Sequence, residues 1–478
     1  MTVFDAVVIG AGPNGLVAAN VLADAGWSVV VLEAESEPGG AVRTSEVTAP
    51  GFRNDLFSAF YPFTVASPVM RKLDLGRFGL QWTHAGHVLA HPRRDGPAAI
   101  LDRDVDVTAA SLEIDGRGDG DAYRDVYDEW LRASGPLLGS LLSPFPPLRA
   151  GARLARTLGV SGLRDLGRLG LVPLRRFVEE KFTGATAGLL FAGSALHADL
   201  TPETAGSALF GWLLVGLGQQ YGFPVPVGGA GSLADALVAR AVSAGVEVRC
   251  ATRVDRVVVE DRRAAGVLTQ HGEMVPARHA VLADCDVSHL LLRMVGAEQL
   301  PSSTVARLRR VQRSAATFKL DWALRAPIPW LDDAARRAGT VHIADSLDEL
   351  SVTATHLSLG LVPSKPFLLI GQMTSSDPTR SPPGTEVAWA YTHVPMQPRG
   401  DAADAGITGQ WHTSDRQRFT ERMERRIEEL APGFSDLIVA RHVMSPSDLE
   451  ARNANLVGGD ISGGTAQLHQ QLIFRPIP

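Results

Sequence analysis

The first apolar run, Phe4-Asp5-Ala6-Val7-Val8-Ile9, is short and nearly continuous, as expected of a strand buried on both faces of a parallel sheet. The next ten-odd residues change period. Leu16, Ala19, Leu22 and Ala23 recur at helical spacing up to Gly26, and Trp27 to Leu32 is a second buried strand. From 76 to 118 short strand-like runs alternate with turns. Residues 119 to 220 read as mostly helical, with Asp121 to Arg132 amphipathic and Thr201-Pro202-Glu203 a predicted helix start. Beyond Pro226 the α/β pattern returns, with a helix to Val242, strands at 246–249 and from Val254, and a hairpin-like section to Ala283. Thr317 to Leu324 alternates and predicts a half-buried strand with Lys319 and Asp321 on its outer face. Thr413 to Leu430 predicts a long charged helix.

Between the first strand and helix lies Gly10-Ala11-Gly12-Pro13-Asn14-Gly15, and Glu33 closes the second strand. Strand, glycine turn, helix, strand and acid in this order form a dinucleotide fingerprint. Gly10 permits the tight turn, Gly12 lets backbone N–H groups approach a diphosphate, and Gly15 allows close helix–strand packing. The helix N-terminus adds donors and a positive dipole. Glu33 is placed to accept ribose hydroxyls. After Glu33-Ala34, a second pair, Gly39-Gly40, lets another backbone segment approach an extended cofactor, with Arg43 as a bidentate donor beside it. Gly216-Leu217-Gly218 follows a helical run rather than a strand, so no separate nicotinamide domain is expected.

Composition narrows the classes further. The chain has 478 residues, which suggests two or three domains, and a net charge of −6, which gives no general attraction to nucleic acid. No run reaches the roughly 18 apolar residues that a membrane-spanning helix needs, and with a strand predicted from Phe4 no cleaved leader peptide is expected. Cys250 and Cys285 form no C-x-x-C pair, so a dithiol enzyme, a cysteine zinc site and a disulfide scaffold are not expected, and the compartment reads as cytoplasmic. His84, His87 and His91 lack helical periodicity and an acidic partner, and read as loop and strand residues rather than metal ligands. Residues 148 to 178 carry seven arginines against the single acid Asp165, interleaved with leucines. Such a segment can lie peripherally on an anionic membrane, or serve as a lid whose leucines face the protein.

Together these motifs resemble the phytoene-desaturase-like branch of the FAD-dependent oxidoreductases, and within it the group of pyridine-nucleotide-disulphide oxidoreductase-domain proteins. Pro50-Gly51-Phe52-Arg53-Asn54-Asp55 follows the glycine pair as in that superfamily. Lys319-Leu320-Asp321-Trp322-Ala323-Leu324 is similar to its "K-x-N-x-A-L" strand, with Asp for Asn. Ser376-Asp377-Pro378 with Pro382-Pro383-Gly384, then Pro446 to Glu450, Gly458-Gly459 and Arg475-Pro476, keep the family's order.

The resemblance implies an α/β fold: a Rossmann-like, amine-oxidase-like FAD-binding domain, discontinuous in sequence, with a second mixed-sheet substrate domain and a helical cap. The expected segments are 1–75 and 226–295 for FAD, 76–225 and 296–478 for substrate, and 119–220 for the cap. Val254 is expected to set its backbone beside the adenine. Family members continue for several dozen residues past the point matching residue 478, with a glycine-rich segment over the flavin, so loose FAD binding is expected here. The implied activity is a dehydrogenase or desaturase that passes a hydride equivalent from an apolar, polyene or isoprenoid-like small-molecule substrate to flavin. Oxygen, a quinone or another diffusible acceptor would reoxidise it. An FAD-dependent amine oxidase is the rival enzyme, and a non-catalytic binding or regulatory module the rival of another class. No acid–base residue stands out, Lys319 being the weak candidate.

Overall fold

The computed structural model describes residues 2–143 and 146–477. The chain opens with β1 (Phe4–Ile9), α1 (Pro13–Asp24) and β2 (Val29–Leu32), as the apolar pattern predicts. Next come β3 (His87–His91) and β4 (Ala99–Leu101). Helices α2 (Asp119–Leu141), α3 (Leu148–Leu169), α4 (Leu174–Lys181), α5 (Ala185–Ala195) and α6 (Ser207–Tyr221) make up the cap. Then follow α7 (Gly231–Ser243), β5 (Glu247–Arg249), β6 (Val254–Glu260), β7 (Arg263–Thr269) and β8 (Met274–Ala283). The last part holds β9 (Ala316–Leu324), β10 (Ala338–Ile343), β11 (Leu368–Gln372), β12 (Glu386–Val394), α8 (Thr413–Glu428), β13 (Ile438–Met444) and α9 (Pro446–Arg452).

Two large sheets organise these elements. The first has the order β6-β7-β8-β1-β2-β5, in which β8, β1, β2 and β5 run parallel and β6, β7 and β8 form an antiparallel meander. Ala6, Val8, Val29 and Val31 face α1 and α7; Val7, Ile9, Val30 and Leu32 pack on Val254, Val257, Val267 and Val275. Burial on both faces is why these strands read as continuous apolar runs. The second sheet, β13-β9-β12-β11-β10-β3-β4, is antiparallel except for the β10–β3 pair.

Two local expectations need correction, and a third holds. All of β9 is buried, Lys319 and Asp321 included, so the strand is not half-exposed. It lies between β13 and β12, with Phe318, Leu320 and Trp322 against Phe419, Met423 and Phe434, and Lys319 reaching the Asp55 carbonyl on the other face. No helix starts at Thr201, whose Oγ1 pairs with Thr204 Oγ1 at 2.8 Å; the helix starts at Ser207 behind Gly206 at φ 85°. The apparent second glycine motif lies inside α6. There a Cβ at Gly216 would meet the Trp130 ring at 2.3 Å, so glycine serves close helix packing.

In α3, Leu154, Leu158, Leu166 and Leu169 pack on the cap core, whereas Leu148, Val160 and Leu163 stay exposed beside Arg149, Arg153 and Arg156. No helix among the described residues is long and apolar enough to cross a membrane.

Candidate active site

The two glycine pairs meet. Gly39 N–H donates to the Ala11 carbonyl at 2.9 Å, and a Cβ at Gly40 would lie 3.0 Å from Gly12 Cα. Gly10, Gly39 and Gly40 have φ of 95°, 121° and 55°, which favours glycine. A Cβ on Gly15 would stand 2.2 Å from the Gly10 carbonyl oxygen, so Gly15 brings α1 against the turn. Pro13 opens α1, where its missing N–H costs nothing. Asn14 lies at the same end, its side-chain amide donating to Asp284 Oδ1 at 3.4 Å.

Glu33 is nearly buried. Its Oε2 accepts from Ala11 N–H at 2.7 Å and its Oε1 from Glu35 N–H at 2.9 Å, so the carboxylate is held over the turn with lone pairs to spare for hydroxyls. Ala34 sits exposed just past it. Thr252 N–H donates to the Glu33 carbonyl at 2.7 Å, which brings the segment entering β6 beside the acid. The Val254 side chain itself is buried under β1 and β2.

Arg43 donates from Nη2 to the Arg452 carbonyl at 2.8 Å and lies over the Phe57 ring, while its Nε is buried with no partner among the described residues. An orphaned guanidinium donor and a two-turn cradle that any Cβ would fill both fit an extended anionic cofactor.

The sequence motifs beyond the fingerprint turn out to be clamps. Asp55 Oδ1 accepts from Thr44 Oγ1 at 2.7 Å and from Ala230 N–H at 2.8 Å, and its carboxylate pairs with Arg380 at 2.8 Å. Asp377 Oδ2 accepts from Gly228 N–H at 2.7 Å. Lys319 Nζ donates to the Asp55 carbonyl at 3.1 Å and pairs with Asp321, so the second sheet is tied to the glycine segments.

Beside this cradle opens a cavity of about 640 Å³, running from Pro13 and Asn14 to β9 and β12. Phe60, Trp389 and Tyr391 form one wall, with Leu214 and Phe223 of the cap region and Leu449, Leu456 and Ile461 closing other sides. Trp389 and Tyr391 stack, 6.0 Å between centroids and 16° between planes. Gly371 gives Trp389 room to lie flat, since a Cβ there would meet the indole at 2.3 Å. Lys319 is the only charged side chain lining the cavity among the described residues.

His197 also lines it, and its Nε2 lies 2.9 Å from His342 Nε2. Burial, with the His393 charge, pushes His197 down to about 3; burial pushes His91 down to about 4 and His342 well below the usual range. These rings are therefore neutral. For His393 burial acts in the same sense, but the Asp199 carboxylate 2.9 Å away, a Leu196 backbone contact and Asp460 together outweigh it and raise the ring. Of the spaced histidines, His84 meets the Tyr221 carbonyl, His87 pairs with Asp102 at 2.6 Å and His91 meets the Ala344 carbonyl.

Sequence reasoning missed Asp284, Asn455 and the cavity residues of the cap. Asp55, Asp377 and Leu449 of α9 had a signal only through the motifs that contain them.

Comparison with known proteins decides the family, because the model for flavin containing amine oxidoreductases matches residues 14–396. The chain belongs to that family. It is an FAD-dependent oxidoreductase, and its cofactor is FAD. It is similar to the mouse pyridine nucleotide-disulfide oxidoreductase domain-containing protein 2, with 29% identity over 99% of this chain and 87% of the relative. It is 23% identical to a neurosporene-forming phytoene desaturase of Rhodobacter capsulatus, over 98% of this chain and 86% of that one. An engineered putrescine oxidase shares the fold, with a TM-score of 0.58 at 16% identity, over 96% of this chain and 88% of the other. The α/β architecture with a Rossmann-like FAD domain and a mixed second sheet is thus that of the flavin amine oxidases and desaturases.

Proposed function

We propose that this oxidoreductase dehydrogenates a neutral, apolar small molecule, polyene or isoprenoid-like in character, and returns the electrons to oxygen, a quinone or another diffusible acceptor. The observation that carries this reading is the lining of the 640 Å³ cavity: mostly aromatic and aliphatic side chains, a few neutral polar ones (Asn14, Ser58, Thr64, Ser67, Thr317 and the neutral His197), one ammonium, and no carboxylate among the described residues. Desolvating an alkylammonium there costs several kcal/mol, with no carboxylate in the lining to pair with it and the Asp321 carboxylate already taken by Lys319. Hydrocarbon pays no such penalty.

When bound, FAD supplies the two-electron acceptor that takes the hydride equivalent. The chain's own residues bind and exclude water. Gly10, Gly12, Pro13, Asn14, Gly15, Gly39, Gly40 and Arg43 would hold the diphosphate end, Glu33 and the backbone near Ala34 the ribose, and the segment at Val254 the adenine. Phe60, Trp389 and Tyr391 keep the reacting bond out of water. Lys319, fixed by the Asp55 carbonyl and Asp321, presents an immobile ammonium to the chamber, its role as catalytic candidate. The two free cysteines support a reducing, cytoplasmic setting.

The stacked Trp389–Tyr391 pair is the one feature favouring an amine oxidase, yet its 6.0 Å centroid separation is less than the ~7 Å that two ring faces need to hold a group between them. Anaerobic mixing of the flavin-loaded protein with phytoene, and separately with putrescine, tests the reading. Bleaching of the oxidised flavin band by phytoene alone is expected; bleaching by putrescine alone would replace it with the amine reading.

A further inference from the structure

Gly12 is read as the position where the backbone is left bare for a diphosphate, but another group of this chain already uses that space. A Cβ built on Gly12 would lie 2.5 Å from Asp284 Oδ2. The same Oδ2 accepts from Gly15 N–H at 3.1 Å, and Oδ1 from the Asn14 side-chain amide at 3.4 Å. Asp284 directly follows β8, which runs parallel to β1; its N–H donates to the Ile9 carbonyl at 2.8 Å, and its carbonyl accepts from Asn455 Nδ2 at 3.0 Å. The backbone is therefore fixed, and the side chain cannot leave without a rotamer change.

Charges nearby do not offset it. Asp284 makes no ion pair among the described residues; Arg313 is taken by Asp286, Arg43 reaches the Arg452 carbonyl, and Glu33 adds a second carboxylate on the other side of the turn. We propose that Asp284 is an affinity-setting residue for FAD. Its carboxylate shares the α1 N-terminus with the diphosphate, and like charge beside like charge weakens retention of the cofactor. An uncharged amide could still accept from Gly15 N–H, though more weakly, without the repulsion.

This inference rests on the FAD site as read above, so the test separates the two. Flavin release on dilution of the loaded protein, followed by flavin fluorescence, gives the Kd for FAD in the wild type, Asp284→Asn and Asp284→Ala. Competition gives the Kd for ADP, and direct titration of the stripped protein that for riboflavin, which has no diphosphate. Asp284→Asn is expected to tighten FAD and ADP about tenfold and to leave riboflavin unchanged. Asp284→Ala is expected to tighten FAD less, because Gly15 N–H loses its acceptor, and to lower the melting temperature where Asp284→Asn does not. Unchanged or weaker FAD and ADP binding in Asp284→Asn would overturn the proposal, as would equal shifts for all three ligands. No ADP binding by any variant would instead overturn the diphosphate site itself.

Discussion

The Asp55 carboxylate and the Arg380 guanidinium, both without solvent exposure, lie 2.8 Å apart and join the glycine-rich half of the molecule to the second sheet. Arg380 also donates from Nε and Nη2 to the Arg53 carbonyl, at 3.1 and 2.9 Å. Removing one partner of a buried pair leaves the other charge unpaired, which costs about 3–5 kcal/mol. Arg380→Met is therefore expected to lower unfolding free energy by that order in urea titrations. Asp55→Asn is expected to cost the same order: its amide oxygen can still accept from Thr44 and Ala230, but the Arg380 guanidinium, which cannot deprotonate, is left buried and unpaired.

Gly40 has no room for a side chain. At φ 55° and with a Cβ 3.0 Å from Gly12 Cα, the Gly40→Val change would push the two glycine turns apart. FAD affinity is expected to fall at least about tenfold, while far-ultraviolet circular dichroism stays that of the wild type. Retention of stoichiometric flavin by this variant would show that the two turns do not form one cradle.

The buried neutral histidines should make stability fall as pH drops below about 6.5. His91 and His197, held to about 4 and about 3 by burial, and His342, also lowered, are neutral when folded and bind protons when unfolded. Their contribution is complete above about pH 6.5 and is lost as pH falls towards those values, by up to about 1.4 kcal/mol per unit and ring. Urea midpoints measured between pH 7 and 5 should drop, and less steeply in His91→Gln.

Glu386 acts in the opposite sense. Burial pushes its carboxyl up to about 7 against hydrogen bonds from Thr374 and Ser375, so it is protonated in the folded state at low pH. Its contribution is complete below about pH 4.5 and lost as pH rises to 7. The raised His393 ring likewise loses its contribution as pH rises. Glu386→Gln is expected to be more stable than the wild type at pH 8 by at least about 1 kcal/mol and indistinguishable from it at pH 4.

Peripheral membrane contact remains a proposal for α3, and the fold narrows which residues would make it. Four of its leucines pack inward, leaving Leu148, Val160 and Leu163 with Arg149, Arg153 and Arg156 on the outside. Sedimentation with phosphatidylglycerol vesicles at low salt is expected, lost at high salt and in Arg153→Glu/Arg156→Glu. Absence of binding at low salt would leave α3 a lid alone.

Much of the FAD half is legible in the chain because its information is local. Phe4 to Glu33 encodes a complete βαβ unit in consecutive residues, where periodicity and glycine placement report backbone geometry directly. Lys319 is the counter-example. Its alternation with apolar neighbours predicts a solvent face, because alternation distinguishes two faces of a strand without saying what covers either one.

What the amino-acid order determined by itself is the kind of cofactor and the turn that receives it, since those depend on steric rules that act within a few residues. What only tertiary structure decided is the chamber and its charge. Asp284 comes to Gly12 from 272 positions away, Arg380 to Asp55, and α9 to the cavity wall, through strand order and long-range packing. No local pattern carries those pairings, because burial is a property of the whole folded chain and not of a window along it.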